Sequence, residues 1–395
     1  MAKASRWLDG ASYLQKWLVL GVLIGAMAGV GAIVFYEALL GTTRLFLGIL
    51  AGYQVPTPVG EGGHAASASF SRPWALPLVV GLGALLGAIL VFRFAPEAEG
   101  HGTDAAISAV HHNPRGIRFR AVVVKIVASA VTIGSGGSGG REGPTGQISA
   151  GFASLLARQL DLSPADARIA VSTGIGSGIG AIFGAPLGGA VLATEIPYRD
   201  DFDAGALLPC FIASIVGYVI FGAAEGFSPL FGFNTSYRFT DPAHLVWFAL
   251  IGILGGLVGL LYAKGFYGAM AAFGRLRVPR WAKPAIGGLL VGSIAIAIPE
   301  VLGTGYGWIQ QSLGSQLLHL PLWIVLVLPF ARIVATGLSI GSGGSGGIFG
   351  PGMVIGAFVG ASVWRLFEPI VPSMGHNPAP YVIFGAAEGF SPLFG

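Results

Sequence analysis

A chain of 395 residues that is 53% hydrophobic and 10% charged carries too few ionisable groups to face water, since soluble domains hold about 25%. An ordinary soluble domain is therefore excluded, and an integral membrane protein of many spans remains. Cys210 is the single cysteine, which excludes a disulfide framework and a cysteine-based metal site. The net charge of +4 comes without a clustered basic stretch, so juxtamembrane Lys and Arg explain it and no nucleic-acid partner is expected.

Residues 1–16 hold Lys3, Arg6 and Lys16 against Asp9, and an apolar run follows from Trp17 to Tyr36. That run is too long for the core of a signal peptide and predicts a first membrane helix with a cytoplasmic N-terminus. Residues 52–72 are polar and turn-rich and predict an extramembrane loop, as do 198–203 and 232–242. Further apolar stretches cover roughly 74–95, 119–133, 145–159, 167–196, 204–224, 243–273, 284–299, 320–340 and 348–367. Several fall short of the ~20 residues a spanning helix needs, and many end in glycine clusters. Short, glycine-interrupted segments of this kind mark transporters with discontinuous helices around a mid-membrane site.

An internal repeat sharpens this reading. Residues 133–144 read IGSGGSGGREGP and residues 340–351 read IGSGGSGGIFGP. Upstream, Lys125 and Arg332 each open a matching apolar segment at the same spacing from the break. Glycine runs let the backbone turn and expose N–H groups. Pro144 and Pro351 suit the first turn of a new helix, whose leading N–H groups lack intrahelical partners. Two such helix ends facing each other at membrane depth make an anion site from partial positive charge. A membrane enzyme handling phosphate groups is the reading from another class. Neither break has the G-K-[ST] ending of a P-loop, and no cofactor is expected.

GREGP at 140–144 and GIFGP at 347–351 resemble signatures of the CLC family of chloride channels and chloride–proton antiporters. GHGTD at 100–104 stands where that family has GSGIP, and the segment from Phe183 to Ile196 is similar to its inner lining. The resemblance implies an all-α, polytopic, inverted-repeat membrane fold with discontinuous, tilted helices. It also implies a homodimer in the plasma membrane, in contact with lipid, that carries chloride or similar small anions. The halves would be 17–224 and 225–380.

Under this resemblance Glu142 is the gating acid, its carboxylate competing with the anion for helix N-terminal amides. The anion-contacting positions are His101, Gly102, Gly140, Arg141, Gly143, Ile348, Phe349 and Gly350, with Ile348 and Phe349 acting through their backbone N–H groups. Lys125 and Arg332 raise the positive potential of the pathway. His101 replaces the usual serine donor, and Thr103-Asp104 is expected to supply an N-cap and a first-turn acid. The family's inner proton-transfer carboxylate falls on Ile196, which leaves Glu195 as the candidate for a proton path. His111 and His112 are expected to be a solvated or interfacial pair rather than metal ligands.

The sequence YVIFGAAEGFSPLFG occurs twice, at 218–232 and 381–395. Fifteen identical residues exceed the likeness between the halves. The expectation is a truncated or misassembled end after about residue 380, lacking the helices that supply the family's central tyrosine and much of its dimer interface. An inactive fragment is the third reading.

Overall fold

The computed structural model describes residues 10–64, 70–198, 201–232, 242–371 and 374–389. Lys3, Arg6, Asp9, parts of the three expected loops and the last six residues of the second YVIFGAAEGFSPLFG lie outside the described residues.

Fourteen α-helices make up the described chain. The first, α1 (Tyr13–Thr43), starts four residues earlier than its apolar run because Ser12 and Gln15 form a capping box. It continues into a π-helical segment, Arg44–Ala51. The first repeat unit follows: α2 (Ala75–Phe94), a 3-10 turn at Pro96–Ala98, α3 (Thr103–His112), α4 (Phe119–Gly134), the glycine break, and α5 (Glu142–Gln159). Next come α6 (Pro164–Phe183), α7 (Pro186–Glu195) and α8 (Ala204–Glu225). The apolar stretch 167–196 is thus two helices, split where Gly184 turns left-handed at φ 64° and Pro186 restarts the chain.

The long α9 (His244–Arg275) opens the second half. Behind it the first unit recurs as α10 (Lys283–Ala297), a 3-10 turn at Pro299–Val301, α11 (Tyr306–Ser312), α12 (Leu322–Ser339), the second break and α13 (Phe349–Phe367). The described chain closes with α14 (Ala379–Glu388). Six of the helices, α1 with its π-helical extension among them, are long and apolar enough to cross a membrane. Leu, Ile and Val side chains exposed along α8 and α9, such as Ile215, Ile253 and Leu257, form the face such a chain turns to lipid.

Glycine lets the helices pack backbone to backbone, as membrane interfaces require. On α13, Gly356 meets Gly385 of α14 so closely that a Cβ on either would collide with the other's carbonyl. Gly385 belongs to the second YVIFGAAEGFSPLFG. Its counterpart in the first copy, Gly222 at the end of α8, packs against the Phe227 ring instead. Identical residues serve two different interfaces.

The two breaks meet at the centre. Residues 133–140 and 340–350 are buried throughout, which is the condition for irregular backbone at membrane depth. Gly140 and Gly347 exchange both backbone hydrogen bonds in an antiparallel bridge, each at 2.7 Å. Hydroxyls repeat the exchange. Ser138 of the first break lies 2.9 Å from Thr336 of α12, and Ser345 of the second lies 2.9 Å from Ser129 of α4. Those four positions are related by the repeat itself, so the halves are inverted copies that complete each other.

Candidate functional site

Helices α5 and α13 begin on Glu142 and Phe349 with no side-chain cap at Arg141 or Ile348. Their leading N–H groups are left to whatever occupies the break. The Gly350 N–H donates to Oε2 of Glu142 at 3.2 Å. The acid is completely buried, and its Oε1 has no hydrogen-bond partner. A carboxylate from one helix start therefore sits on the amide of the other, where charge and dipole attract.

The remaining expected positions divide. Gly102, Gly143, Ile348 and Gly350 line the meeting of the breaks. Gly143 abuts the His101 carbonyl, and the Ile348 carbonyl accepts from Tyr262 of α9 at 2.8 Å. Phe349 is buried at the start of α13. The Gly140 N–H is committed to the Gly347 carbonyl, so Gly140 joins the breaks rather than offering a donor. Arg141 is engaged with other partners beside them. Its guanidinium pairs with Glu61 and lies between the rings of Tyr36 and Tyr306, at 5.3 and 5.2 Å.

Lys125 and Arg332 hold matching places. The Lys125 ammonium donates to the carbonyls of Ala98 and Gly100 at 3.2 and 2.8 Å. The Arg332 guanidinium donates to Glu300, Leu302 and Gly303 at 3.1, 3.3 and 2.7 Å. Both are fully buried, and each ties down the linker between the first two helices of its own repeat unit.

At the start of α3 the expectation needs correction. Thr103 does not cap the helix: Gly102, at φ 91°, takes that place without a side-chain bond. A left-handed turn suits glycine, and Thr103 Oγ1 is left buried and unpartnered. Asp104 is the first-turn acid, as expected, and lies 2.9 Å from Nε2 of His101. The imidazole nitrogen without a partner is Nδ1.

Two cavities approach the breaks. One of about 460 Å³ is lined by Glu99, His101, Asp104, Arg280 and Lys283 among others. The other, about 170 Å³, is lined by Tyr36, Glu61, Arg141, Tyr218 and Glu225 among others. Glu142 lines neither. Glu195 is exposed at the end of α7, whereas Ile196 packs against the Ala106–Ile179 cluster between α3 and α6. His111 Nε2 lies 2.5 Å from the Pro197 carbonyl, and no group of His, Cys, Asp and Glu able to hold a metal occurs among the described residues.

The profile of the voltage-gated chloride channel family matches residues 82–393. The chain belongs to that family. An uncharacterised protein of Methanocaldococcus jannaschii is 35% identical over 295 residues, 75% of this chain and 71% of its own. The H(+)/Cl(-) exchange transporter ClcA of Vibrio parahaemolyticus is 28% identical over 375 residues, covering 91% and 78%. Among solved structures, a slow cyanobacterial Cl-/H+ antiporter superposes with a TM-score of 0.76 at 24% identity, over 94% of this chain and 84% of that one. The expected all-α, inverted-repeat membrane architecture is that of these neighbours.

The sequence gives no direct pointer to the buried Thr103 hydroxyl, which was expected to cap α3, or to Tyr306, Tyr262 and Glu61. A signal for the first two was present: Pro-Glu-x-x-Gly-x-Gly occurs at 96–102 and again at 299–305, directly before Thr103 and Tyr306. Nothing in the sequence ties Tyr262 or Glu61 to the breaks.

Proposed function

We propose that this chain moves chloride or similar small anions across a membrane through the meeting point of α5 and α13, with Glu142 as the gate. One observation carries the reading: the buried Glu142 carboxylate accepts the Gly350 N–H at 3.2 Å. A negatively charged oxygen already fills the place an anion would take at that helix start. Protonation weakens its hold on the amide, and the side chain leaves the site to the anion. Lys125 and Arg332 keep the surrounding potential positive, and His101 and Gly102 border the pathway on the side of the larger cavity. Membership of the family and the architecture shared with transporters support the reading.

The protein works as a homodimer in the plasma membrane with its N-terminus in the cytoplasm, each half (17–224 and 225–380) contributing one break. Liposomes loaded with chloride and containing the full-length protein test the core of it. Release of chloride down its gradient is expected, and tight vesicles would end the proposal.

Proton-coupled exchange is the second reading, favoured by the exchange activity named for a relative and a structural neighbour. Against it stands Ile196, an apolar side chain packed between α3 and α6 where the resembled family carries its inner acid. A proton path without a titratable group faces a large electrostatic barrier.

A further inference from the structure

Tyr306 is 1% exposed, and its hydroxyl has no hydrogen-bond partner. A buried hydroxyl left unpaired forfeits its hydrogen bonds to water without replacement. The ring stands over the Arg141 guanidinium at 5.2 Å and meets Phe231 edge-on at 6.1 Å. Those contacts fix the ring and account for its apolar body but not for its hydroxyl. A Cβ built on Gly350 would stand 2.7 Å from that hydroxyl and 3.3 Å from Oε2 of Glu142. Hydroxyl and carboxylate thus flank the same glycine, and each keeps an unpartnered oxygen there.

The repeat gives this arrangement a second instance. Thr103 follows Gly102 at φ 91°, and Tyr306 follows Gly305 at φ 82°. Thr103 Oγ1 is also buried and unpartnered. It would stand 3.3 Å from a Cβ on Gly143, the residue that matches Gly350 in the first break. Each unit therefore aims one unpaired hydroxyl at the second residue of a break helix. The two orphan donors hold matching places at the two helix starts.

We propose that the Tyr306 hydroxyl is a ligand of the transported anion: when the Glu142 carboxylate leaves, the anion takes both the Gly350 N–H and the Tyr306 O–H. The inference rests on the anion-transport reading above. It adds a side-chain donor to a site otherwise made of backbone, and it implies preference for anions that accept hydrogen bonds strongly.

The test uses full-length protein carrying Glu142→Gln, so that no carboxylate competes, with chloride binding followed calorimetrically. Adding Tyr306→Phe keeps the ring and removes only the oxygen. Chloride binding is expected to weaken about tenfold, in line with loss of one hydrogen bond to a charged group. Thiocyanate, a weaker acceptor, is expected to lose much less. Tyr53→Phe, which removes another buried unpartnered hydroxyl outside the site, is expected to change neither. A ring-fluorinated tyrosine at 306, a stronger donor of the same shape, is expected to tighten chloride binding and serves if the Phe variant does not fold. Unchanged chloride binding in the Phe or fluorinated protein, or equal losses for both anions, overturns the role of Tyr306 and leaves the transport reading intact. Absence of chloride binding in Glu142→Gln itself removes both.

Discussion

Glu142 and Gly350 belong to different halves of the chain, yet the carboxylate of one accepts the backbone N–H of the other at 3.2 Å. The contact closes the breaks with a side chain that protonation can neutralise. Glu142→Gln is therefore expected to abolish the dependence of anion flux on external pH while flux itself persists or rises. Flux measured across a series of external pH values checks this, and a variant that keeps the wild-type profile removes Glu142 as the gate.

Coupling follows from Ile196 and Glu195. With the first packed between helices and the second exposed, the wild-type current is expected to reverse at the chloride equilibrium potential whatever the proton gradient. A reversal potential that tracks the proton gradient would instead establish exchange. Ile196→Glu is expected to introduce such a shift, which would put residue 196 on a proton route.

Lys125 and Arg332 tie the linkers to the units they serve. Arg332→Met strands three carbonyl groups, at roughly 1.5–3 kcal/mol for each charge-assisted bond lost. Lys125→Met is expected to cost less, because the Ala98 carbonyl also accepts from Ser345 Oγ and the Gly100 carbonyl from the Gly346 N–H. Arg332→Lys is expected to recover only part of the loss, because one ammonium cannot reproduce the fork that reaches three carbonyls. Thermal unfolding of the purified protein ranks the three variants. Equal melting of Arg332→Met and wild type would contradict the role.

Gly305 turns left-handed at φ 82°, and a Cβ there would strike the Arg332 guanidinium. Gly375 shares the turn, at φ 68°, with open space around it. Both Ala variants bear the left-handed backbone penalty of about 1–2 kcal/mol. Only Gly305→Ala is expected to lower transport as well, since it dislodges Arg332. Flux of the two variants at equal protein content separates strain from displacement.

Outside the membrane segments, the Arg118 guanidinium grips Glu97 through bonds of 2.8 and 2.6 Å and holds its carboxyl below the usual range. A depressed folded-state pKa stabilises the protein above the unfolded pKa of ~4 and loses that contribution as pH falls through the folded value. The effect is small because both side chains meet water. Glu97→Gln is expected to melt lower than wild type at neutral pH and to converge with it in acid. Parallel melting curves at every pH would refute the linkage.

Much of this architecture is legible in the residues. IGSGGSGG appears twice, each copy running into a proline, and that alone locates both breaks, both helix starts and the acid at the first of them. Spacing also picks out Lys125 and Arg332, although not their carbonyl partners, which depend on how the linkers fold back. The start of α3 misleads because Thr103 has the chemistry of a cap, while the left-handed Gly102 before it turns the hydroxyl inward. Arg141 directly precedes Glu142, but its guanidinium pairs with Glu61, 80 positions earlier, and lies between the rings of Tyr36 and Tyr306, partners that its place in the sequence does not reveal. Tyr262 is one tyrosine in a long apolar helix, and periodicity cannot tell its hydroxyl from any other.

The bridge between Gly140 and Gly347 also bears on how the protein is made. Gly347 leaves the ribosome 207 residues after Gly140, which at ordinary elongation rates is a delay of roughly 10–40 s. Throughout that interval the first break has its polar backbone in or beside the bilayer without its partner. An unassembled half of this kind is a substrate for insertion chaperones and membrane proteases. Pauses in translation between the two breaks would lengthen its exposure, so synonymous codon choice across residues 225–340 becomes a determinant of yield.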